Sequence, residues 1–286
     1  MPDIYFLNGK FVPLEEATVS VNDRGYQFGD GVYEVIRSYG GEIFHLNEHL
    51  SRFEKSAWAI EISLPASLQA IGGLIEEAYR RSRYPSAKIY VQLTRGVHER
   101  NHLFPLDAVP TLLITVLEIH PPDENLRKNG VALISVDDIR WNRCDIKSLN
   151  LLPNVLAFQK ARKAGVFEAL QVRNDRVTEG SISNFFMVSG GALKTHPLGP
   201  FILPGVTRDL VLHLAREAGI RISEAPFTLA EVYDSDEAFI CGTTIEILPV
   251  AQVDSKKIGK VVPGDVTRKL IELFNKRTRK SSPLAF

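Results

Sequence analysis

Long apolar runs are missing from this chain. The clearest, residues 111–117, falls far short of the roughly 20 residues that a membrane-spanning helix needs. Cysteine is scarce: Cys144 and Cys241 lie far apart, which makes neither a disulfide framework nor a metal-knuckle spacing and suits a reducing cytoplasm. An excess of either charge is also absent, with 34 Lys and Arg against 34 Asp and Glu. Proteins dedicated to duplex nucleic acid usually carry a basic excess, so nucleic acid is not an expected partner. The N-terminus shows acidic Asp3 and no basic stretch leading into a long apolar run, so no signal peptide is expected. Against these absences stand 44 % apolar and 24 % charged residues, the balance of a soluble globular protein rather than a disordered one. The length of 286 residues predicts two domains and a core large enough to enclose a site.

Periodicity predicts mixed structure. Ile4–Leu7 and Lys10–Val12 flank Asn8-Gly9, a strong hairpin signal. Residues 32–39 read as a strand, Gly40-Gly41 as a turn and Glu42–Phe44 as the return. From Asn47, taken as an N-cap, apolar residues recur at Leu50, Phe53, Ala57 and Ile60 with helical spacing. A second helix is predicted over 67–84, and strands over 88–94 and 111–117, the latter apolar enough to be buried on both faces. His120-Pro121-Pro122-Asp123-Glu124-Asn125 is the best linker candidate, because two prolines resist helix and central strand alike. It divides the chain into a smaller α/β domain at 1–120, a linker at 121–126 and a larger domain at 127–286. The second part reads as strands at 131–136, 169–173, 177–179, 185–188, 239–241 and 247–250. Its helices fall at 151–164, 206–218 and 265–279. Without strict βαβ alternation, the fold class is α/β of a mixed α+β kind.

Several motifs carry chemical possibilities. His45-Leu46-Asn47-Glu48-His49 spells the H-x-x-E-H string of some zinc peptidases. With Asn47 as N-cap, His45 lies outside the helix and cannot face the same way as His49, so no metal is expected. Gly25, Gly29 and Gly31 precede a strand, the wrong order for a dinucleotide fingerprint, and imply a tight turn or a close backbone approach. Arg100-Asn101-His102 lies in a loop and could bind an anion. Leu203-Pro204-Gly205-Val206-Thr207 opens a helix whose exposed N–H groups can cradle phosphate, and Gly242-Thr243-Thr244 is a second such place. Lys147 stands between a strand and an apolar helix, where partial desolvation would free its amine for covalent chemistry. Glu179 is an acid at a strand end.

Taken in order, G-Y-Q-F-G-D-G-V-Y-E-V, N-E-H-L-S-R, R-N-H-L-F-P, R-C-D-I-K-S-L-N-L-L, V-T-E-G-S-I-S-N-F-F, L-P-G-V-T-R-D and T-T-I-E-I-L-P-V resemble the fold-type IV pyridoxal-phosphate enzymes. The resemblance is greatest to their D-amino-acid aminotransferase branch and runs from about Asn8 to Val250. It implies a two-domain fold-type IV enzyme with pyridoxal 5'-phosphate (PLP) as cofactor, whose larger domain carries the cofactor lysine. That enzyme moves an amino group from a D-amino acid to a 2-oxo acid in two half-reactions. By resemblance, Lys147 would carry the cofactor and move the proton, and Glu179 would pair with the pyridine nitrogen. Arg52, Val206, Thr207 and Thr243 match phosphate-holding positions, Leu203 the residue against the ring, and Ser181 and Ser183 further cofactor positions. Tyr33, Arg100 and His102 match the trap for the substrate carboxylate. In the family the Arg–His pair comes from the neighbouring subunit, which implies a homodimer. Arg37 either faces the substrate side chain or faces solvent. Ile182 and Ile245 depart from a family pattern that is polar there. Runner-up readings are a branched-chain aminotransferase or an aminodeoxychorismate lyase of the same fold, and a non-catalytic PLP-binding protein. Arg100 and His102 argue against the first two, and Lys147 with Glu179 against the third.

Overall fold

The computed structural model describes residues 2–278 and contains two units, each of mixed helix and strand. The first comprises residues 2–120 with Ile146–Asn150, the second Pro121–Asp145 with Leu151–Thr278.

The first unit opens with the hairpin β1 (Ile4–Leu7) and β2 (Lys10–Val12), where Asn8 and Gly9 take φ of 46° and 92°, as a tight hairpin turn requires. A short helix α1 (Arg24–Phe28) follows. Then come β3 (Gly31–Tyr39), β4 (Glu42–Phe44), α2 (Leu46–Ala59), α3 (Leu68–Ser82), β5 (Ala87–Thr94) and β6 (Thr111–Glu118). The strands form one antiparallel sheet in the order β2-β1-β6-β5-β3-β4. Alternation places Val32, Ile36, Ile89, Val91, Ile114 and Val116 in one core with Phe53 and Ala57 of α2 and Ile71 and Ile75 of α3. Each of these valine, isoleucine and phenylalanine side chains contributes about 1.5–3 kcal/mol on burial.

Two expectations are corrected here. β6 is not buried on both faces: Leu112, Ile114 and Val116 are buried while Leu113, Thr115 and Leu117 are only partly covered. Helix α2 starts before Asn47. His45 is its N-cap, in a left-handed conformation with φ 55°, and its ring lies edge-on to Phe44 at 4.2 Å. The short link from β4 leaves no room for a longer approach, so the chain turns directly into the helix.

The glycines of the Gly25–Gly31 stretch have defined uses. Gly29 caps α1 in the left-handed region at φ 67°. A Cβ on Gly31 would stand 2.6 Å from the Leu93 carbonyl oxygen. Ile146–Asn150 then runs beside β3 as a further short extended segment. The Tyr33 N–H donates to the Lys147 carbonyl at 3.0 Å and the Leu149 N–H to the Gly31 carbonyl at 3.0 Å, while Ile146 enters the core of this unit. That pairing uses the half of β3 that β4 leaves open, and it groups the Lys147 segment with the first unit although it follows the proline-rich stretch in sequence.

The second unit begins with α4 (Glu124–Asn129), capped by Asp123 within the proline-rich stretch. It continues through β7 (Val131–Asp137), α5 (Leu152–Lys163), β8 (Glu168–Arg173), β9 (Arg176–Gly180), β10 (Asn184–Ser189) and β11 (Ala192–Thr195). After these come α6 (Val206–Glu217), β12 (Arg221–Glu224), α7 (Leu229–Tyr233), β13 (Glu237–Gly242), β14 (Glu246–Val253), β15 (Lys256–Lys257) and α8 (Asp265–Thr278). The strand order is β12-β11-β10-β13-β14-β7-β8-β9, parallel at β11/β12, β14/β7 and β7/β8, with β15 paired to β14. Phe185, Met187, Ile240 and Leu248 form its core with Leu133 and Leu170. The last helix was expected to reach Arg279, which lies outside the described residues.

Candidate active site

Lys147 is held by its main chain. Its N–H donates to Ser56 Oγ at 3.2 Å, its carbonyl accepts from Tyr33, and its Nζ stands 4.2 Å from the centre of the Tyr33 ring. The Tyr33 ring also lies 5.7 Å from that of Tyr90, whose hydroxyl burial pushes up to about 12. Lys147 and Tyr33 are therefore neighbours.

Arg52, on the buried face of α2, is aligned by Glu34 of β3. Its Nε donates to Oε1 at 2.7 Å and its Nη2 to Oε2 at 2.8 Å, while His49 Nδ1 faces Oε2 at 2.8 Å. Burial alone would raise the Glu34 carboxyl, but the Arg52 guanidinium and the His49 ring bring it down to about 2. Burial lowers the His49 ring against the pull of Glu34. The second histidine of the H-x-x-E-H string is thus turned inward to Glu34, whereas His45 pairs with Glu48 at 2.9 Å.

Arg37 is 2 % exposed and lies 4.7 Å over the Tyr39 ring, so it does not face solvent. Arg100 and His102 do, on the long connection between β5 and β6. Both rest on Phe28, at 4.3 Å and 5.4 Å from its ring centre.

The second unit gathers another group. Glu179 is buried at the end of β9. Its Oε1 accepts from Arg140, and its Oε2 accepts from Asn184 Nδ2 at 2.8 Å and from the Leu203 N–H at 3.0 Å. Arg140 is in turn gripped by Asp138, with Nε and Nη2 each 2.9 Å from a carboxylate oxygen. Burial raises the Glu179 carboxyl, and the charge of Arg140 works against that. Asp138, raised by burial but outweighed by Arg140 and Arg173, sits at about 2. A carboxylate has about four acceptor positions, and these donors take three. One remains for a further donor, as a protonated pyridine nitrogen would require. Leu203 is fixed beside it, because its carbonyl accepts from Asn184 at 3.0 Å.

Val206 and Thr207 form the first turn of α6, whose N–H groups no helical carbonyl can satisfy. The N-cap Gly205 approaches Asn184 so closely that a Cβ would collide with its side chain. Thr243 lies in the turn between β13 and β14. Ser181 and Ser183 are buried and turn toward Glu168, while Ile182 between them is exposed.

Sequence alone does not single out Glu34, Asp138, Arg140, Glu168 or Asn184, and it raises His49 only as a metal ligand, not as a partner of Glu34. Glu34 carried a legible signal: a charged residue sharing parity with Val32 and Ile36 in a strand must be buried.

Glu168 is fully buried with neutral donors: the Ile182 N–H at 2.6 Å, Ser183 Oγ at 2.9 Å and, more weakly, Ser181 Oγ at 3.4 Å. Burial pushes its carboxyl up to about 7, against 4.5 as the usual value. The folded state therefore binds the proton more tightly. This contribution is complete below pH 4.5 and declines as pH rises through 7, by about 3 kcal/mol in all. Glu168→Gln is expected to remove that decline. Thermal melts should show the variant gaining several degrees on the native protein between pH 5 and pH 8. A constant difference across that range would refute a buried, titrating Glu168.

The first unit thus holds a lysine packed on a tyrosine, and the second a buried carboxylate with an acceptor position left and a helix start with unsatisfied N–H groups. Each of these, taken by itself, is a part that an anionic, nitrogen-bearing cofactor needs. The chain belongs to the class IV aminotransferases (Amino-transferase class IV), whose family model matches residues 31–253. More particularly, it is 40 % identical to a D-alanine aminotransferase of Staphylococcus haemolyticus over 95 % of this chain and 96 % of that one. It is 42 % identical to a D-alanine aminotransferase of Listeria monocytogenes, over 94 % of this chain and 93 % of that one. Among solved structures, the branched-chain amino acid aminotransferase from Thermobaculum terrenum, in its PLP form, superposes with a TM-score of 0.87 at 28 % identity, covering 98 % of this chain and 94 % of that one.

Proposed function

We infer that this chain is a PLP-dependent transaminase that moves an amino group reversibly from a D-amino acid, of the D-alanine or D-glutamate type, to a 2-oxo acid such as 2-oxoglutarate or pyruvate. The observation that carries the cofactor is Glu179, a buried carboxylate with three donors and one acceptor position left. When bound, PLP supplies an electron sink for the pair released at the substrate Cα and carries the amino group between half-reactions.

Lys147 would hold the cofactor, and its Nζ would then carry the proton from the substrate Cα to the cofactor carbon that receives the amino group, and back in the reverse half-reaction. Glu179 would keep the pyridine nitrogen protonated, with Arg140 and Asn184 holding the carboxylate in line. Arg52, Val206, Thr207 and Thr243 would bind the phosphate, Leu203 would pack against the ring, and Ser181 and Ser183 would support that surface through Glu168. Tyr33, Arg100 and His102 would bind the substrate carboxylate, with buried Arg37 toward the substrate side chain. Fixing the carboxylate on one side decides which enantiomer presents its Cα–H to Lys147.

The D-amino-acid reading rests on relatives at 40 % and 42 % identity over nearly the whole chain, against 28 % for the branched-chain structure. A homodimer is supported by the exposed apolar residues Leu103, Leu106 and Val109 beside Arg100 and His102. Two buried free cysteines support a cytoplasmic setting, and among the described residues no helix is long and apolar enough to cross a membrane.

The experiment is an absorption spectrum of the purified protein with PLP, before and after D-alanine, with L-alanine in parallel. The expected result is a visible cofactor band that D-alanine alone converts to a near-ultraviolet one. Conversion by L-amino acids only would move the protein to the branched-chain side. Failure of any band to form would remove Lys147 from the reading.

A further inference from the structure

Arg100 and His102 have few contacts of their own. Among the described residues, the Arg100 side chain reaches a polar partner only at the Gln27 carbonyl, 3.5 Å from Nη1, the outer limit of a hydrogen bond. Both side chains otherwise lean on Phe28. They sit on a largely exposed connection running from Val97 to Pro110 without helix or extended strand. A carboxylate trap on such a segment would be mobile unless its backbone were tied down.

Its start is tied by main-chain pairing, with the His98 N–H donating to the Asn22 carbonyl at 3.2 Å and Asp23 bridged to Val97, and one buried side chain ties the stretch around His102. Arg24, 3 % exposed, sends Nη1 to the carbonyls of Asn101 and Leu103, the two that bracket His102. Its Nε donates to Asp30 Oδ2 at 2.8 Å, which aims the guanidinium. Asp30 also accepts from Arg95 at 2.8 and 3.0 Å. Arg95 in turn donates to the carbonyls of Ile60 and Glu61 beyond α2, and its guanidinium lies 3.6 Å from the centre of the Phe104 ring. The connection is thus pinned at Asn101, Leu103 and Phe104 to a rigid ion-pair network. Buried ion pairs add little net stability, and their best-attested use is to fix register. Here the register fixed is that of the residues on either side of His102.

We propose that Arg24, aimed by Asp30, is the positioning residue of the Arg100–His102 pair and holds it ready for the substrate carboxylate. This rests on the reading of that pair as the carboxylate trap. Arg24 touches no reacting atom. It removes the freedom the trap would otherwise lose at each binding event.

The test uses the PLP-loaded enzyme and the variants Arg24→Met, Arg24→Lys and, in parallel, Arg100→Ala. For Arg24→Met the KM for D-alanine is expected to rise about 10- to 100-fold with kcat little changed, the loss that misplacing a binding group produces. Amide hydrogen exchange over residues 97–106 should accelerate in Arg24→Met, with the cofactor absorption band unaltered. Arg24→Lys, which keeps the charge but offers a single point donor, should fall between native and Met. Unchanged KM and unchanged loop exchange in Arg24→Met, while Arg100→Ala raises KM, would overturn the positioning role alone. So would a fall in kcat at constant KM. An Arg100→Ala enzyme with native KM would overturn the trap itself and the proposal with it. If Arg24→Met does not fold, Asp30→Asn keeps the guanidinium but loses the group that aims it. A raised KM is then expected, and a native KM overturns the role.

Discussion

Lys147→Ala should abolish transamination of D-alanine while leaving the protein folded. The two effects separate because of how Lys147 is held. Its contacts with Ser56 and Tyr33 are made by its backbone N–H and carbonyl, which alanine retains. The side chain loses only its place over the Tyr33 ring, a cation–aromatic contact of about 0.5–1 kcal/mol at a half-exposed site. Melting temperature should therefore fall by no more than a few degrees. Activity should fall much further. On the proposed reading the same amine holds the cofactor and moves the proton at Cα. General acid–base work alone is worth about 10²- to 10⁴-fold, so at least about 10⁴-fold is expected once covalent attachment is lost as well. The visible cofactor band should be lost or displaced, and added small amines should restore a fraction of the turnover by replacing the proton carrier. A variant that retains a tenth of native activity would show that another group does this work.

How much of this was legible beforehand differs between residues for physical reasons. The hairpin at Asn8-Gly9 was readable because its turn demands positive φ at both positions, a constraint written in adjacent residues. Lys147, Glu179 and Arg52 were reached through strings of residues that resemble a family, and their contacts depend on chain returns that no local period records. Arg140 is 39 positions from Glu179, and its pairing follows only once β9 is laid beside the segment after β7. Helices α1 and α7, five residues each, are too short for a 3.6-residue period to show. The start of α2 was misplaced because Asn47 is a good capping residue in isolation, while the direct turn from β4 puts the left-handed residue at His45. Glu34 could have been read, since the parity of its strand already required a buried acid and hence a buried cationic partner. That partner proved to be Arg52, so the resemblance and the alternation converge on one pair.

Glu179→Gln should leave a folded protein that binds the cofactor but turns over about 10²- to 10³-fold more slowly, the usual effect of removing one preorganised electrostatic group. The glutamine has nearly the same shape, yet it lacks the charge that keeps a ring nitrogen protonated. It must also turn an NH₂ toward one of three donors, namely Arg140, Asn184 or the Leu203 N–H. Arg140 is not stranded, because Asp138 holds it through two further hydrogen bonds. The stability loss should therefore lie below the roughly 3–5 kcal/mol seen when a buried pair is broken outright. Glu179→Ala removes both charge and acceptor. It should lose more stability than Gln without losing much more rate, because the charge is already gone in the first variant. Measuring kcat and melting temperature for both separates the roles. If Gln loses stability but keeps its rate, the acid serves only to pair with Arg140. If it loses rate at nearly native stability, the acceptor position left by Arg140, Asn184 and Leu203 is the one the chemistry uses.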